Sequence, residues 1–305
     1  MQPRPIDGTR YADLRHSLLE LARQRAGRLV YVPNRGNAGD ALIASAAWQF
    51  FDELPQAPVC LPIEELRSGD RAIFGGGGVF VPAYPAAARW LQVFARAGLS
   101  GLVILPQTFR GNEAELAELG PECTLFCREW VSYDFVERVA SRCDVRFSPD
   151  LALGLDIAAL RARLEAVGRG HRAIDQIALL YSSSARRYRR WLRKLAAVEP
   201  DAAGRLEVFR SDAERTAAGG EKAQLTDVSD FYGSGFRERL ECDRITLDLL
   251  DLLDTAQLVE TNRLHVGIGA ALLGKQVILH DNSYGKLRAI YDASLKDWPN
   301  VSFAD

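Results

Sequence analysis

The stretch that decides the fold is residues 259–280, which read VETNRLHVGIGAALLGKQVILH. It opens at the end of a short apolar run typical of a strand, and its polar turn offers Thr261 or Asn262 as a helix cap. The small apolar residues at 264–273 then predict a helix that ends at a glycine. An apolar run at 276–280 follows. The stretch therefore predicts strand, turn, helix and strand.

Two titratable side chains fall in the first turn of this predicted helix. Arg263 and His265 come just after the carboxyl end of a strand. A helix begins there with free N–H groups and the positive end of its dipole, which favour an anion. A cation and an imidazole at this point predict a phosphate or carboxylate site.

The same alternation of short apolar runs and helical patterns extends through the first half of the chain. The predicted strands lie at residues 28–32, 59–61, 71–74, 101–105, 124–127 and 144–147. Helical patterns separate them, for example at 41–51, 85–97 and 131–141. This alternation predicts a parallel sheet wrapped by helices, which binds ligands at the carboxyl ends of its strands.

A composition change divides the chain near residue 155. Residues 154–175 form a connector rich in Arg, Ala and Gly, and a new strand pattern begins at 176–181. We therefore predict an N-terminal domain at 1–155 and a C-terminal domain at 156–305.

Two polar segments follow predicted strands in the first half. Residues 34–40, NRGNAGD, form a turn in which Asp40 is placed to cap the next helix. Residues 75–78 are four consecutive glycines. Glycine loses more conformational freedom on folding than any other residue, so we expect this quartet to serve close approach of the backbone to a ligand. It does not match the nucleotide-binding P-loop pattern.

Composition excludes several classes of protein. The 305 residues are 48% hydrophobic and 26% charged, as expected for a soluble globular protein of two domains. No apolar run reaches the roughly 18 residues that span a bilayer, and no signal sequence is present, so we expect a cytoplasmic protein. The five cysteines are scattered and the acidic residues unclustered, which predicts no disulfide framework and no metal site. A net charge of −2 gives no general attraction to nucleic acid.

Plain structural interpretations stand beside the functional ones. Arg263 and His265 can occupy an exposed helix start, and the glycine quartet can be a tight turn. Asn37 and Asp40 are as compatible with loop and cap roles as with ligand binding. Arg186 follows a serine turn and can meet a phosphate, whereas the neighbouring arginines suit a solvated helix face.

Six motifs, taken in order, resemble the polysaccharide pyruvyl transferase family. They are residues 34–40 (NRGNAGD), 75–78 (GGGG), 105–108 (LPQT), 128–132 (REWVS), 148–150 (SPD) and 261–265 (TNRLH). Each is weak alone, and the ordered set is fairly specific. The resemblance implies an α/β fold with two Rossmann-like domains that face a cleft, as in GT-B glycosyltransferases. It also implies transfer of a pyruvyl group from phosphoenolpyruvate to two sugar hydroxyls.

The resemblance further implies the partners. The product is a cyclic ketal on an exopolysaccharide or cell-wall precursor, and phosphoenolpyruvate is a donor substrate, so no separate cofactor is expected. A lipid-linked acceptor, and peripheral contact with the membrane biosynthetic machinery at the inner face of the membrane, are compatible with this function.

Donor-binding residues carry over position by position. Arg263, Leu264 and His265 match the Arg-Leu-His segment that binds the donor in the family, with Leu264 contributing its backbone. Arg186 matches a second donor-binding arginine. His265 is the leading candidate for the general acid that protonates the donor.

The first half matches the side of the family that resembles an acceptor site. Asn37, Gly76, Gly77 and Glu129 are the candidate acceptor or cleft residues there. Asp40 or Glu129 is the candidate general base. Two other functions remain open at this point: a sugar-nucleotide-dependent glycosyltransferase, because the fold is shared, and a non-catalytic relative that binds sugars or anions.

Overall fold

The computed structural model describes residues 8–170, 183–211, 227–229, 238–282 and 285–304. Of residues 8, 169–170 and 183–187 it describes the backbone alone. The predicted strand at 176–181 lies outside the described residues. Residues 211–238 are rich in Gly, Asp, Ser and Thr, a composition that predicts a long loop, and most of them also lie outside the described residues.

Seven parallel strands form a sheet in the first half of the chain. They are β1 (Leu29–Val32), β2 (Val59–Cys60), β3 (Arg71–Phe74), β4 (Gly77–Phe80), β5 (Gly101–Phe109), β6 (Cys123–Cys127) and β7 (Asp144–Phe147). Their order is β2-β1-β3-β5-β6-β7, and β4 pairs with β5. The predicted parallel sheet is confirmed.

Helices cover both faces of this sheet. They are α1 (Ala12–Arg23), α2 (Ala38–Phe51), α3 (Ala86–Arg96), α4 (Glu113–Glu118) and α5 (Trp130–Val139). In β1, Leu29 and Tyr31 belong to an apolar cluster with α1 and α2, while Val30 and Val32 belong to another with α3, α4 and α5. Successive side chains of a strand point to opposite faces. The sheet is therefore buried on both sides, as a doubly wound sheet is.

A second parallel sheet lies in the other half. Its strands are β8 (Arg205–Val208), β9 (Leu258–Thr261), β10 (Gln276–Leu279) and β11 (Val301–Phe303), in the order β11-β10-β9-β8. The accompanying helices are α6 (Ile157–Gly170), α7 (Ser183–Leu195), α8 (Arg239–Asp254), α9 (Leu264–Leu272) and α10 (Lys286–Ile290). The opening stretch of sequence is β9, α9 and β10, as predicted.

Helix α2 is buried between elements of the two halves. Twelve of its fourteen residues are buried, which is typical of a helix covered on all sides. Ser45 Oγ lies 3.0 Å from Thr246 Oγ1 of α8. Leu42, Leu250 and Leu253 belong to one apolar cluster that extends from α1 to β11. The α/β fold is thus confirmed, and the division at 155/156 into domains facing a cleft stays a prediction.

The structure corrects the predicted extent of several elements. Strand β5 runs past Leu105 to Phe109 because its second half pairs with β4 and β6, Gln107 lying opposite both Gly77 and Cys127. The glycine quartet does not form one loop, since its last two residues begin β4. The sequence pattern at 284–294 predicts a single helix, whereas the structure has α10 followed by a π-helical segment, Tyr291–Leu295. Among the described helices, none is long and apolar enough to cross a membrane.

Candidate active site

A cavity of about 450 Å³ lies where the residues that follow β1 and β6 meet β4 and the first turns of α2 and α9. Five cations but a single carboxylate stand among its described lining residues. The cations are Arg35, Arg128, Arg210, Arg263 and Lys286, and the carboxylate is Asp40. His265 also lines the cavity. This charge balance favours an anionic ligand.

The first turn of α2 is held by reciprocal hydrogen bonds. Asn37 is the N-cap, and its Oδ1 accepts from the Gly39 N–H at 2.7 Å. Asp40 Oδ2 accepts from the Asn37 N–H at 2.8 Å, which completes a capping box. Asn34 Nδ2 donates to Asp40 Oδ1 at 3.2 Å. The prediction that Asp40 is the cap itself was therefore wrong, because the chain enters the helix three residues earlier.

Asp40 is a partly buried carboxylate at the cavity. Burial raises its pKa above the ordinary value, and His265, Lys286 and Arg128 offset only part of this shift. A carboxyl group whose pKa is higher in the folded than in the unfolded state stabilises the fold less as pH rises from about 4 through the folded pKa. Ionised Asp40 therefore costs stability at neutral pH.

We expect Asp40→Asn to raise the melting temperature at pH 7, with a gain that shrinks as the pH is lowered toward 4. Asparagine keeps an oxygen for the Asn37 N–H and removes the buried charge. Thermal unfolding across this pH range measures the effect. Asp70→Asn is the control with the opposite expected result. Hydrogen bonding to Arg28 lowers the pKa of Asp70, so this variant should have a lower melting temperature at pH 7. A gain for Asp40→Asn that is the same at every pH would contradict the assignment.

Helix α9 begins at the cavity without a side-chain cap. Its N-cap residue is Arg263, which makes no side-chain capping hydrogen bond. The predicted caps are used elsewhere: Thr261 Oγ1 accepts from the Arg263 N–H at 2.9 Å, and Asn262 Oδ1 from the Arg210 N–H at 2.7 Å. The first turn, from Leu264 to Val266, lines the cavity, so its N–H groups are placed to meet an anion.

His265 lies beside the ion pair of Asp150 and Arg128. Its Nε2 is 3.3 Å from Asp150 Oδ2 and 3.5 Å from Arg128 Nη1. A Cβ built on Gly39 would lie 2.9 Å from His265 Nδ1, so the imidazole packs on the first turn of α2. Because Nε2 faces the ion pair, Nδ1 is the ring nitrogen left for a substrate.

Arg128 is the most deeply buried cation of the cavity. It is 0% exposed, its Nη1 donates to Asp150 Oδ2 at 2.6 Å, and its Nε donates to Thr108 Oγ1 at 2.9 Å. Burial raises the pKa of Asp150, but His265 and Arg128 outweigh it and hold that pKa well below its ordinary value. Asp150 is therefore an anion that positions both Arg128 and His265. Arg128 Nη2 is buried and has no hydrogen-bond partner among the described residues.

Lys286 approaches Arg128 beside Gly78. A Cβ built on Gly78 would lie 2.6 Å from Lys286 Nζ and 2.9 Å from Arg128 Nη2. Lys286 is itself buried and begins α10, where its N–H donates to Asn282 Oδ1 at 2.9 Å. The absent side chain at Gly78 leaves a space bordered by two positive nitrogens. One of them lacks a partner within the described chain, and a buried unsatisfied donor is costly.

Arg263 reaches the cavity while engaged in an ion pair. Its Nε and Nη2 donate to the two carboxylate oxygens of Asp227 at 3.0 and 2.5 Å. Asp227 also accepts from the Ser211 N–H at 2.8 Å and from Ser229 Oγ at 3.1 Å. Burial raises the pKa of Asp227, but the hydrogen bonds from Arg263 overcome this and lower it. Arg263 therefore lines the cavity as one half of a buried ion pair.

The structure separates some of the other predicted site residues from the cavity. Leu264 and Asn37 line it, but Glu129, Gly76 and Gly77 are not among its lining residues. The carboxylate of Glu129 is fully buried, caps α5 by accepting from the Ser132 N–H at 2.9 Å, and pairs with Arg110 at 2.9 Å. Its role in the structure is thus to fix the start of α5.

Arg186 falls in α7, in the part where only the backbone is described. The proposed contact between its side chain and the donor lies outside the described residues.

Sequence reasoning missed four important lining or supporting residues. Arg128 and Asp150 belong to quoted motifs at the carboxyl ends of β6 and β7, so the strand-end rule contained the signal for them. Lys286 follows a turn and had no such signal. Trp90, held against Phe74 with ring centroids 5.6 Å apart, lines the cavity together with Tyr84 and Val79. These apolar residues give the cavity a wall without charge.

Comparison with known proteins gives one family and one related structure. The family model for polysaccharide pyruvyl transferase matches residues 37–284, more than half of the chain. The crystal structure of a functionally uncharacterized protein from Klebsiella pneumoniae subsp. pneumoniae is similar, with 25% sequence identity and a TM-score of 0.69. The similarity covers 96% of this chain and 98% of that one. None of the curated proteins matches significantly.

Proposed function

Because the chain belongs to the polysaccharide pyruvyl transferase family, we propose that it transfers a pyruvyl group from phosphoenolpyruvate to two hydroxyls of a sugar. The product is a cyclic ketal on a cell-surface glycan precursor, and inorganic phosphate is released. The observation that carries the donor assignment is Arg128 Nη2, a buried charged donor without a described partner at the edge of the cavity. An anionic substrate supplies that partner.

Phosphoenolpyruvate has two anionic groups, and the cavity has two kinds of anion-binding element. Arg128 and Lys286 offer charge-assisted hydrogen bonds beside Gly78. The uncapped first turn of α9 offers backbone N–H groups and the positive end of its dipole. The phosphate and carboxylate of one donor can thus be held at neighbouring points, which fixes the enol carbon between them.

The reaction needs a proton for the donor and a base for the acceptor. In the proposed sequence, His265 Nδ1 protonates the methylene carbon of phosphoenolpyruvate, and one sugar hydroxyl attacks the resulting oxocarbenium-like carbon. Asp40 accepts the proton of that hydroxyl. The second hydroxyl then replaces phosphate at the same carbon, and its proton leaves with the phosphate. One C–H and two C–O bonds form in total, while the C=C π bond and the C–O bond to phosphate break.

The uncharged wall of the cavity suits the acceptor. Tyr84, Pro85 and Trp90 follow β4 and line the cavity beside Asp40. An aromatic face packs against the apolar face of a sugar ring, while Asn37 and Asp40 offer hydrogen bonds to hydroxyls. This supports the assignment of the first half of the chain to the acceptor.

The binding step is tested by melting temperature with phosphoenolpyruvate, inorganic phosphate or a nucleotide sugar. A ligand at about 100 times its Kd stabilises the fold by roughly 2.7 kcal/mol. We expect a clear rise with phosphoenolpyruvate. A rise with the nucleotide sugar alone would overturn the proposal in favour of glycosyl transfer. Donor binding without phosphate release in the presence of glycan acceptors would indicate a non-catalytic binding protein.

Gly78→Ala should weaken donor binding without unfolding the protein. The added methyl group displaces Lys286 Nζ and Arg128 Nη2 from the space where an anion is proposed to bind. The backbone of Gly78 does not have the positive φ that penalises other residues, unlike that of Gly77. We expect the Kd for phosphoenolpyruvate to rise at least about tenfold, the loss of one charge-assisted hydrogen bond. An unchanged Kd would place the donor elsewhere.

His265→Gln should lower turnover by about 10²–10⁴-fold, the usual contribution of general acid–base catalysis. Donor binding, measured by the thermal shift, should persist, because glutamine keeps a hydrogen-bonding side chain beside Asp150. His16→Gln is the matched control, since His16 is an exposed residue of α1 paired with Glu20 at 3.1 Å. Near-normal turnover of His265→Gln would leave His265 a binding residue at most.

A further inference from the structure

Two cysteines face each other at the amino ends of β6 and β7. These parallel strands pair Thr124 with Asp144, so Cys123 and Cys143, one position earlier on each strand, are neighbours. Adjacent strands lie about 4.8 Å apart, within the range of Cα separations that a disulfide spans. Neither cysteine lines the cavity, which lies at the opposite ends of the strands.

The two cysteines share one neighbour, the Gly120 carbonyl oxygen. This oxygen accepts from the Cys123 N–H at 3.1 Å and lies 3.5 Å from Cys143 Sγ. Both side chains also pack in the same apolar cluster. Cys123 is 1% exposed, whereas Cys143 is half-buried. One sulfur can thus be reached from solvent, and the other stands behind it.

We propose that Cys123 and Cys143 form a modification site, which a small disulfide such as glutathione disulfide oxidises reversibly to an intramolecular disulfide. The proposal does not depend on the transferase activity. All five cysteines lie in the described part of the chain, and none of them is in a disulfide. Cys60, Cys127 and Cys242 therefore serve as internal references for the reactivity of the pair.

The contact assigns different roles to the two sulfurs. The neighbouring Cys123 thiol lowers the pKa of Cys143, whereas the neighbouring Cys143 thiol and burial raise the pKa of Cys123. The Cys143 thiolate is then the nucleophile that attacks glutathione disulfide, breaks its S–S bond and releases one glutathione. Cys123 loses its proton and attacks Cys143 Sγ, releasing the second glutathione. Two cysteine thiols are oxidised, and one glutathione disulfide is reduced to two thiols.

The bridge would join two strands that also carry the site. The carboxyl ends of β6 and β7 lead to Arg128 and Asp150, whose ion pair holds His265. Oxidation therefore links the amino ends of β6 and β7, whose carboxyl ends position Arg128 and Asp150.

The test uses the full chain, incubated with glutathione disulfide, quenched with acid and alkylated in denaturant. Peptide mass mapping should show a Cys123–Cys143 link, with the other three cysteines alkylated and with reversal by dithiothreitol. In Cys123→Ser, glutathione should remain on Cys143. In Cys143→Ser, Cys123 should stay reduced because it is buried. Cys60→Ser should form the link as the parent does.

Two results would overturn the proposal. One is recovery of both Cys123 and Cys143 as alkylated thiols after oxidation of a folded parent chain. The other is a persistent glutathione adduct on Cys143 of the parent, which would show that Cys123 does not complete the exchange.

Discussion

Arg128→Met is expected to lower the free energy of unfolding by about 3–5 kcal/mol and to abolish the rise in melting temperature caused by phosphoenolpyruvate. The substitution leaves Asp150, which is 1% exposed, without its strongest partner. It also removes the buried Nη2 to which we assign the donor. Urea unfolding and thermal shift measure the two effects separately.

The control for Arg128 is Arg110→Met. Arg110 also pairs with a fully buried carboxylate, that of Glu129, at 2.9 Å, but outside the cavity. This variant should lose stability and keep the donor-induced shift. If Arg128→Met does not fold, Arg128→Lys keeps a positive charge for Asp150 and should fold with weakened donor binding. A full donor-induced shift in Arg128→Lys would contradict the assignment of Nη2.

Arg263→Ala is expected to lower the free energy of unfolding by about 3–5 kcal/mol as well, because it leaves the buried carboxylate of Asp227 without its two-point partner. Loss of donor affinity in this variant alone is therefore ambiguous. The double variant Arg263→Ala/Asp227→Asn removes both charges and should recover much of the lost stability.

The affinity of that double variant separates direct from indirect action. If the Arg263 guanidinium meets the donor, the Kd for phosphoenolpyruvate should remain about 10–100 times higher than in the parent, as expected for a lost charged hydrogen bond. Asp227→Asn alone should bind the donor nearly normally. Recovery of both stability and affinity in the double variant would make Arg263 a structural residue.

Strands could be predicted where their own sequence pattern agrees with their pairing in the sheet. The predicted bounds of β3 and β7 are those of the structure, because each is a short run ended by glycine or proline. Strand β4 was not predicted, because Gly77 and Gly78 have no strand preference of their own. Pairing with the second half of β5 makes them a strand, and that pairing is not visible in local sequence.

The site was predictable in part for a related reason. Arg263 and His265 stand in the first turn of a helix after a strand, where local rules point to an anion. The ion pair of Arg128 and Asp150 depends on β6 lying beside β7, and the approach of Lys286 depends on the packing of the two halves. An arginine in sequence suggests an exposed residue, so its complete burial could be recognised only in three dimensions.

The burial of α2 also bears on how the chain can be divided. A fragment that ends at residue 155 would carry this helix with the apolar side that α8 and α9 normally cover left bare. Such a fragment is prone to self-association, and the complementary piece would expose the matching surface. Splitting the gene at that point should therefore give two insoluble products, which become soluble when synthesised together. Only the combined product would present the N-termini of both α2 and α9 to one donor.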